Sequence, residues 1–128
     1  MTINSREKGR RAEVALCKLL TAELGVKVER NRDQAYTGGA DCLLLPGYAI
    51  EIKRREILAK PAWWRQTVAQ ADKVQQEPLC FYKQNRKPWR ALVASNGTYR
   101  DVDWTEAMDA IRDKWARLYG VYSERKAA

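Results

Sequence analysis

Histidine is absent from this chain, so no mechanism that turns on an imidazole is open to it. Cysteine is scarce: Cys17, Cys42 and Cys80 stand far apart, with no CxxC pair. These absences argue against a zinc site and against a disulfide framework. The thiols suit a reducing compartment, where they serve as small core hydrophobes. No apolar run reaches the length of a membrane span. The N-terminal Met1-Thr2-Ile3-Asn4-Ser5-Arg6-Glu7-Lys8 lacks the apolar stretch of a signal peptide. The expectation is a cytoplasmic protein with no membrane partner. Acidic residues are in the minority, 16 against 24 Lys and Arg, which gives a formal charge of +8. A field of that sign attracts polyanions, nucleic acid foremost, although a basic surface also serves plain solubility.

What is present fits one compact domain: 128 residues support a single core and not two. The expected division is one domain over residues 1–122 and a polar tail over 123–128. Asn4 or Ser5 can cap a first helix that runs to about Leu24 and stops at Gly25. Residues 26–30 read as a short strand, and 31–39 as a loop. Two apolar strands joined at Pro46-Gly47 follow. Residues 61–76 form a second helix, with Pro61 suited to its first turn. Residues 79–83 and 89–94 read as two more strands. Asp103 and Glu106 make an N-terminal capping pair for a last helix. Its apolar stripe is Trp104, Ala107, Met108, Ile111, Trp115 and Leu118, and it ends at Gly120. The order α-β-β-β-α-β-β-α predicts an α/β domain, a mixed central sheet flanked by helices.

The chemistry concentrates in Gly38-Gly39-Ala40-Asp41 and in Glu51-Ile52-Lys53. Side chains alternate along a strand, so Glu51 and Lys53 share a face. Asp41 lies near the start of the neighbouring strand. It reaches the same face if the loop has odd length, such as Pro46-Gly47-Tyr48, with Leu43 opposite Glu51 and Asp41 opposite Lys53. A two-residue loop without a bulge would put Asp41 on the other face. Glu13 shares a helical face with Leu16, Cys17, Leu20 and Leu24. A carboxylate there needs a cation or a donor nearby. Structural readings stand beside these: Glu13 at the edge of the stripe reaching into water, Asp41 as a turn residue, Glu51 and Lys53 as an exposed charge pair.

With Lys8-Gly9-Arg10-Arg11-Ala12-Glu13 upstream, the set Asp41, Glu51-x-Lys53 resembles the PD-(D/E)xK nucleases. Within them it is similar to the Holliday-junction resolvase branch of archaea and phages. The likeness runs over about residues 5–95 and takes in Trp63-Trp64-Arg65-Gln66. Ala40 departs from the proline often found before the acid, and the last helix has no counterpart. The resemblance implies a restriction-endonuclease-like fold and Mg²⁺-dependent hydrolysis of DNA phosphodiesters, with Mn²⁺ able to substitute. It implies that Asp41 and Glu51, with the backbone carbonyl of Ile52, hold the metal. Glu13 would hold a metal-associated water or a second ion. Lys53 would act on the attacking water, and Gln66 would stand beside the site. It also implies a homodimer acting on branched DNA in a bacterial or phage-infected cell.

The basic residues group around this motif: Arg6, Lys8, Arg10 and Arg11 before Glu13, Arg30 and Arg32 before Asp41, Arg54 and Arg55 after Lys53, and Arg65 on the second helix. They would contact phosphates without reading sequence. Gln70 shares a helix face with Gln66. Trp63, Trp64 and Tyr36 could stack on bases or pack internally. Two further readings are a nuclease of the same chemistry acting on flaps, nicks or duplex, and a nucleic-acid-binding module without catalysis.

Overall fold

The computed structural model describes residues 5–29 and 45–120, with the side chains of residues 5 and 6 excepted. Its elements are α1 (Ser5–Leu24), β1 (Tyr48–Arg54), α2 (Lys60–Val74), β2 (Glu77–Lys83), β3 (Arg90–Ser95), β4 (Thr98–Asp103) and α3 (Trp104–Tyr119). The four strands form one sheet in the order β1-β2-β3-β4. β1 and β2 are parallel, and the crossover such a pair needs is α2; the remaining pairs are antiparallel. Helices cover both faces of this mixed sheet, as the sequence predicts for an α/β domain.

Period-two alternation sorts the strand residues between the two faces. Tyr48, Ile50 and Ile52 of β1, Leu79 and Phe81 of β2, and Ala91 and Val93 of β3 turn to one side. There they meet Ala12, Leu16 and Leu20 of α1 and Ala107, Met108 and Ile111 of α3. Cys80, Tyr82 and Leu92 turn to the other side, under Trp63 and Trp64 of α2, while Ala49 meets Ala71. Cys17 and Cys80 are buried thiols, in the core role expected of them. The capping pair of the last helix is also as read. Asp103 accepts from the Glu106 N–H at 2.8 Å, and Gly120 closes the helix in the left-handed region.

Two stretches differ from the sequence reading. Residues 26–29 form no strand, because the backbone of Val28 is engaged by a side chain. Its N–H donates to the Thr21 hydroxyl at 2.9 Å, and its carbonyl lies 3.3 Å from the same oxygen. The sequence reading also stops short of β4. That strand follows Asn96-Gly97, both at positive φ (50° and 81°), a pairing that suits a tight hairpin. The strand expected before Pro46 lies outside the described residues, Leu45 excepted.

The last helix fixes where β1 begins. Lys114 Nζ donates to the Gly47 carbonyl at 2.8 Å and to Glu77 Oε1 at 3.0 Å, and it lies over the Tyr48 ring. Trp115 Nε1 donates to the Pro46 carbonyl at 2.7 Å. Gly47 has φ of +85°, and a Cβ there would fall 2.9 Å from Lys114 Cε. Gly47→Ala is therefore expected to destabilise the fold by about 1–3 kcal/mol, readable by urea unfolding. An unchanged midpoint would contradict this account of the turn.

Candidate active site

β1 carries Glu51 and Lys53 on the α2 side, two residues beyond Ala49. Glu51 is 7% exposed, a carboxylate at a depth where only partnered charges are stable. Ile52 points the opposite way, into the core shared with α1 and α3. α2 crosses above: Lys53 Nζ donates to Gln66 Oε1 at 2.7 Å. This charge-assisted bond holds a flexible ammonium in one place. One turn further on, the Oε1 of Gln70 is buried without a hydrogen-bond partner. Glu51, Lys53, Gln66 and Gln70 thus belong to one face between β1 and α2.

Other expected site residues fall elsewhere. Glu13 is half-buried on α1, at the flank of the stripe that packs on the opposite face of the sheet. Arg10 and Arg11 are both drawn to Glu7, at 2.7 and 3.4 Å. Arg65 and Arg55 are exposed, and Arg54 pairs with Glu56 at 3.0 Å. Asp41, Arg30, Arg32, Tyr36 and the side chain of Arg6 lie outside the described residues. Trp63 and Trp64 are core residues, 7% and 9% exposed, tilted against Tyr82 and Tyr99 respectively. Neither is open to a base.

The turn before β1 bears on Asp41. Tyr48 N–H donates to the Leu45 carbonyl at 3.1 Å, so the turn holds two residues, Pro46 and Gly47, and not three. The register expected for Asp41 and Leu43 lies outside the described residues.

The orientation of α2 rests on a second polar group that sequence reading missed. Asp101 of β4 accepts from Tyr82 Oη at 2.6 Å and Arg90 Nε at 2.9 Å, and it pairs with Lys60 in the first turn of α2. Only tertiary pairing assembles it, so no sequence spacing announces it. Burial alone would raise the Asp101 pKa, but these three partners more than offset it and hold the carboxyl below its ordinary value. Its contribution is therefore complete above the ordinary carboxylate range, about pH 4, and is lost as pH falls through the folded-state value. Asp101→Asn should cost about 1–2 kcal/mol near neutrality. The gap to wild type in thermal midpoint should close on acidification. A gap that widened in acid would contradict the assignment.

A third polar group closes the C-terminal ends of β1 and β2. The Arg55 N–H donates to the Lys83 carbonyl at 3.1 Å, and Gln84 Nε2 donates to the Glu56 carbonyl at 2.8 Å. Glu56 Oε2 accepts from the Asn85 N–H at 2.8 Å and from Arg54, which also reaches Asn85 Oδ1. Burial would raise the Glu56 pKa, but Asn85, Arg54 and the nearby charge of Lys8 hold it down.

An acid and a lysine on one strand face, with a glutamine over the lysine, suit hydrolysis of a phosphodiester. Among the described residues no helix is long and apolar enough to cross a membrane. No curated protein matches the chain. Among solved structures it is similar to Archaeoglobus fulgidus Hjc, a Holliday junction resolvase from an archaeal hyperthermophile. The identity is 23%, over 77% of this chain and 85% of that one, with a TM-score of 0.49. Residues 4–114 match the family described as "Phage putative PDDEXK endonuclease". That span covers most of the 128 residues, and the chain belongs to this family of phage PD-(D/E)xK endonucleases.

Proposed function

We propose that this nuclease is a Mg²⁺-dependent DNA endonuclease that resolves four-way junctions as a homodimer, its single domain spanning residues 1–122. The observation that carries the reading is the Lys53–Gln66 contact at 2.7 Å, on the strand face that also holds the buried Glu51. Among the described residues no three His, Cys, Asp or Glu side chains converge. Even so, the donors on this face are hard oxygens. The orphaned Gln70 Oε1 adds an acceptor that a coordinated water could satisfy. That set fits Mg²⁺, with Mn²⁺ as a substitute, and does not suit a soft metal. Glu51, the Ile52 carbonyl and Asp41 would hold the ion. Bound there, the ion would supply Lewis-acid stabilisation of the phosphate and a more acidic water.

The protein's own groups then have defined tasks. Lys53, held by Gln66, sets its charge beside the non-bridging oxygens, where negative charge grows as the water oxygen bonds to phosphorus and the P–O bond to the leaving strand breaks. Arg54, Arg55, Arg65 and Lys8 neutralise backbone phosphates, so binding weakens steeply with salt. Asp41→Asn should lower cleavage about a hundredfold or more. Wild-type rates in that variant would remove Asp41 from the site.

Substrate choice is tested with a labelled four-way junction beside its linear duplex arms at matched salt. Paired, symmetric incisions in the junction alone support a dimeric resolvase. Equal cutting of both keeps the nuclease and discards the resolvase. Junctions bound but uncut with Mg²⁺ and Mn²⁺ would favour a binding module.

A further inference from the structure

The segment that leaves the site, residues 55–59, ends in an apolar tip. Ile57 is 86% exposed and Leu58 37%, only four and five residues beyond Lys53. An isoleucine so open to water is not held there by packing. Its neighbours hold it: backbone and side-chain bonds from Lys83, Gln84 and Asn85 clasp Arg55 and Glu56 on its N-terminal side. Helix α2 begins at Lys60 on the other side. The ordering entropy of the tip is met in the free protein. The clasp is also basic. Arg54, Arg55, Lys83 and Arg86 belong to it, and Lys8 acts on its one acid, Glu56.

The geometry points to Ile57 as a wedge that enters an unstacked base step of DNA at a branch or distortion, and so sets the preference for distorted DNA over plain duplex. This rests on the nuclease reading above and deepens it. An apolar point that follows a basic clasp in the chain fits a partner that pairs anionic phosphates with apolar base faces. The tip follows Lys53 by four residues, so DNA that reaches Lys53 comes within range of it. The tryptophans, the other candidates for base contact, are buried and cannot serve.

The test reads binding and not cleavage. In a Lys53→Ala background with Mg²⁺, full-length protein is titrated against a four-way junction, a nicked duplex and an intact duplex, each with 2-aminopurine at the matching position. Ile57→Ser should reduce the ratio of distorted-DNA to duplex affinity about tenfold and abolish the rise in 2-aminopurine fluorescence; Ile57→Leu should keep both. An unchanged ratio in Ile57→Ser would overturn the wedge while leaving the nuclease intact. Sedimentation showing that Ile57→Ser breaks a dimer would overturn it in favour of a self-association contact. Ile57-dependent binding to anionic vesicles, without an effect on DNA, would also overturn it. Failure of every variant and of wild type to bind any DNA would instead defeat the function proposed above.

Discussion

Lys53→Ala should lower DNA cleavage by about a hundred- to a thousandfold while changing DNA affinity less than about threefold. The asymmetry follows from where the ammonium sits. Lys53 is one cation in a chain of net charge +8, so losing it removes little of the long-range attraction. It is, however, tied at 2.7 Å to Gln66, at the point where charge would develop on the phosphate. A preorganised charge acts there without the reorganisation that a free lysine would need. Gln66→Leu should leave the charge and lose its placement, costing about tenfold in cleavage. Arginine at 53 should not restore activity, because its planar fork cannot occupy the place of a compact ammonium. Single-turnover cleavage beside equilibrium binding separates these effects. A parallel loss of affinity and rate in Lys53→Ala would make Lys53 a phosphate contact and nothing more.

Glu51→Gln should cost as much, about a hundredfold or more in cleavage, and it carries a second signature independent of turnover. A ligand that binds only the folded state stabilises it by RT ln(1 + [L]/Kd), about 2.7 kcal/mol at a hundred times Kd. Wild type should therefore melt a few degrees higher with saturating Mg²⁺ than with EDTA, and Glu51→Gln should show no such difference. The substitution keeps side-chain shape at a position only 7% exposed, so packing changes little, while one acceptor oxygen becomes an N–H donor and the charge is lost. A Mg²⁺-induced rise that survived in Glu51→Gln would move the metal elsewhere.

The legible parts of this molecule are those where one chain segment decides its own environment. Ala12, Leu16 and Leu20 recur at helical spacing and do pack as one stripe. Asp103 caps the helix it precedes, and Gly25 and Gly120 adopt the positive φ that ends their helices. Alternation along β1 put Glu51 and Lys53 on one face, and Gln66 of α2 accepts from Lys53. Misreadings arose where tertiary partners decide. Val28 has strand composition, but its backbone is claimed by Thr21. β4 has only Val102 buried and presents Thr98, Arg100 and Asp103 to water, so its apolar signal is faint although its Asn-Gly turn is plain. The Asp101 and Glu56 clusters join residues 28 to 41 positions apart along the chain in part, and no local pattern encodes such pairs. The resemblance to resolvases is carried by Lys8-Gly9-Arg10-Arg11-Ala12-Glu13, Gly38-Gly39-Ala40-Asp41 and Glu51-Ile52-Lys53, all inside the span of the family match.

One cleavage assay decides whether the Glu51–Lys53 face hydrolyses DNA with a divalent metal. Wild type and Lys53→Ala are incubated with an end-labelled mixture of four-way junction, flap, nicked and intact duplex DNA, in Mg²⁺ and in EDTA. Expected is cleavage by wild type in Mg²⁺ alone, concentrated on the junction, and about a hundredfold less or lower still by Lys53→Ala at matched protein. Cleavage by both proteins alike, or by wild type in EDTA, would contradict this expectation.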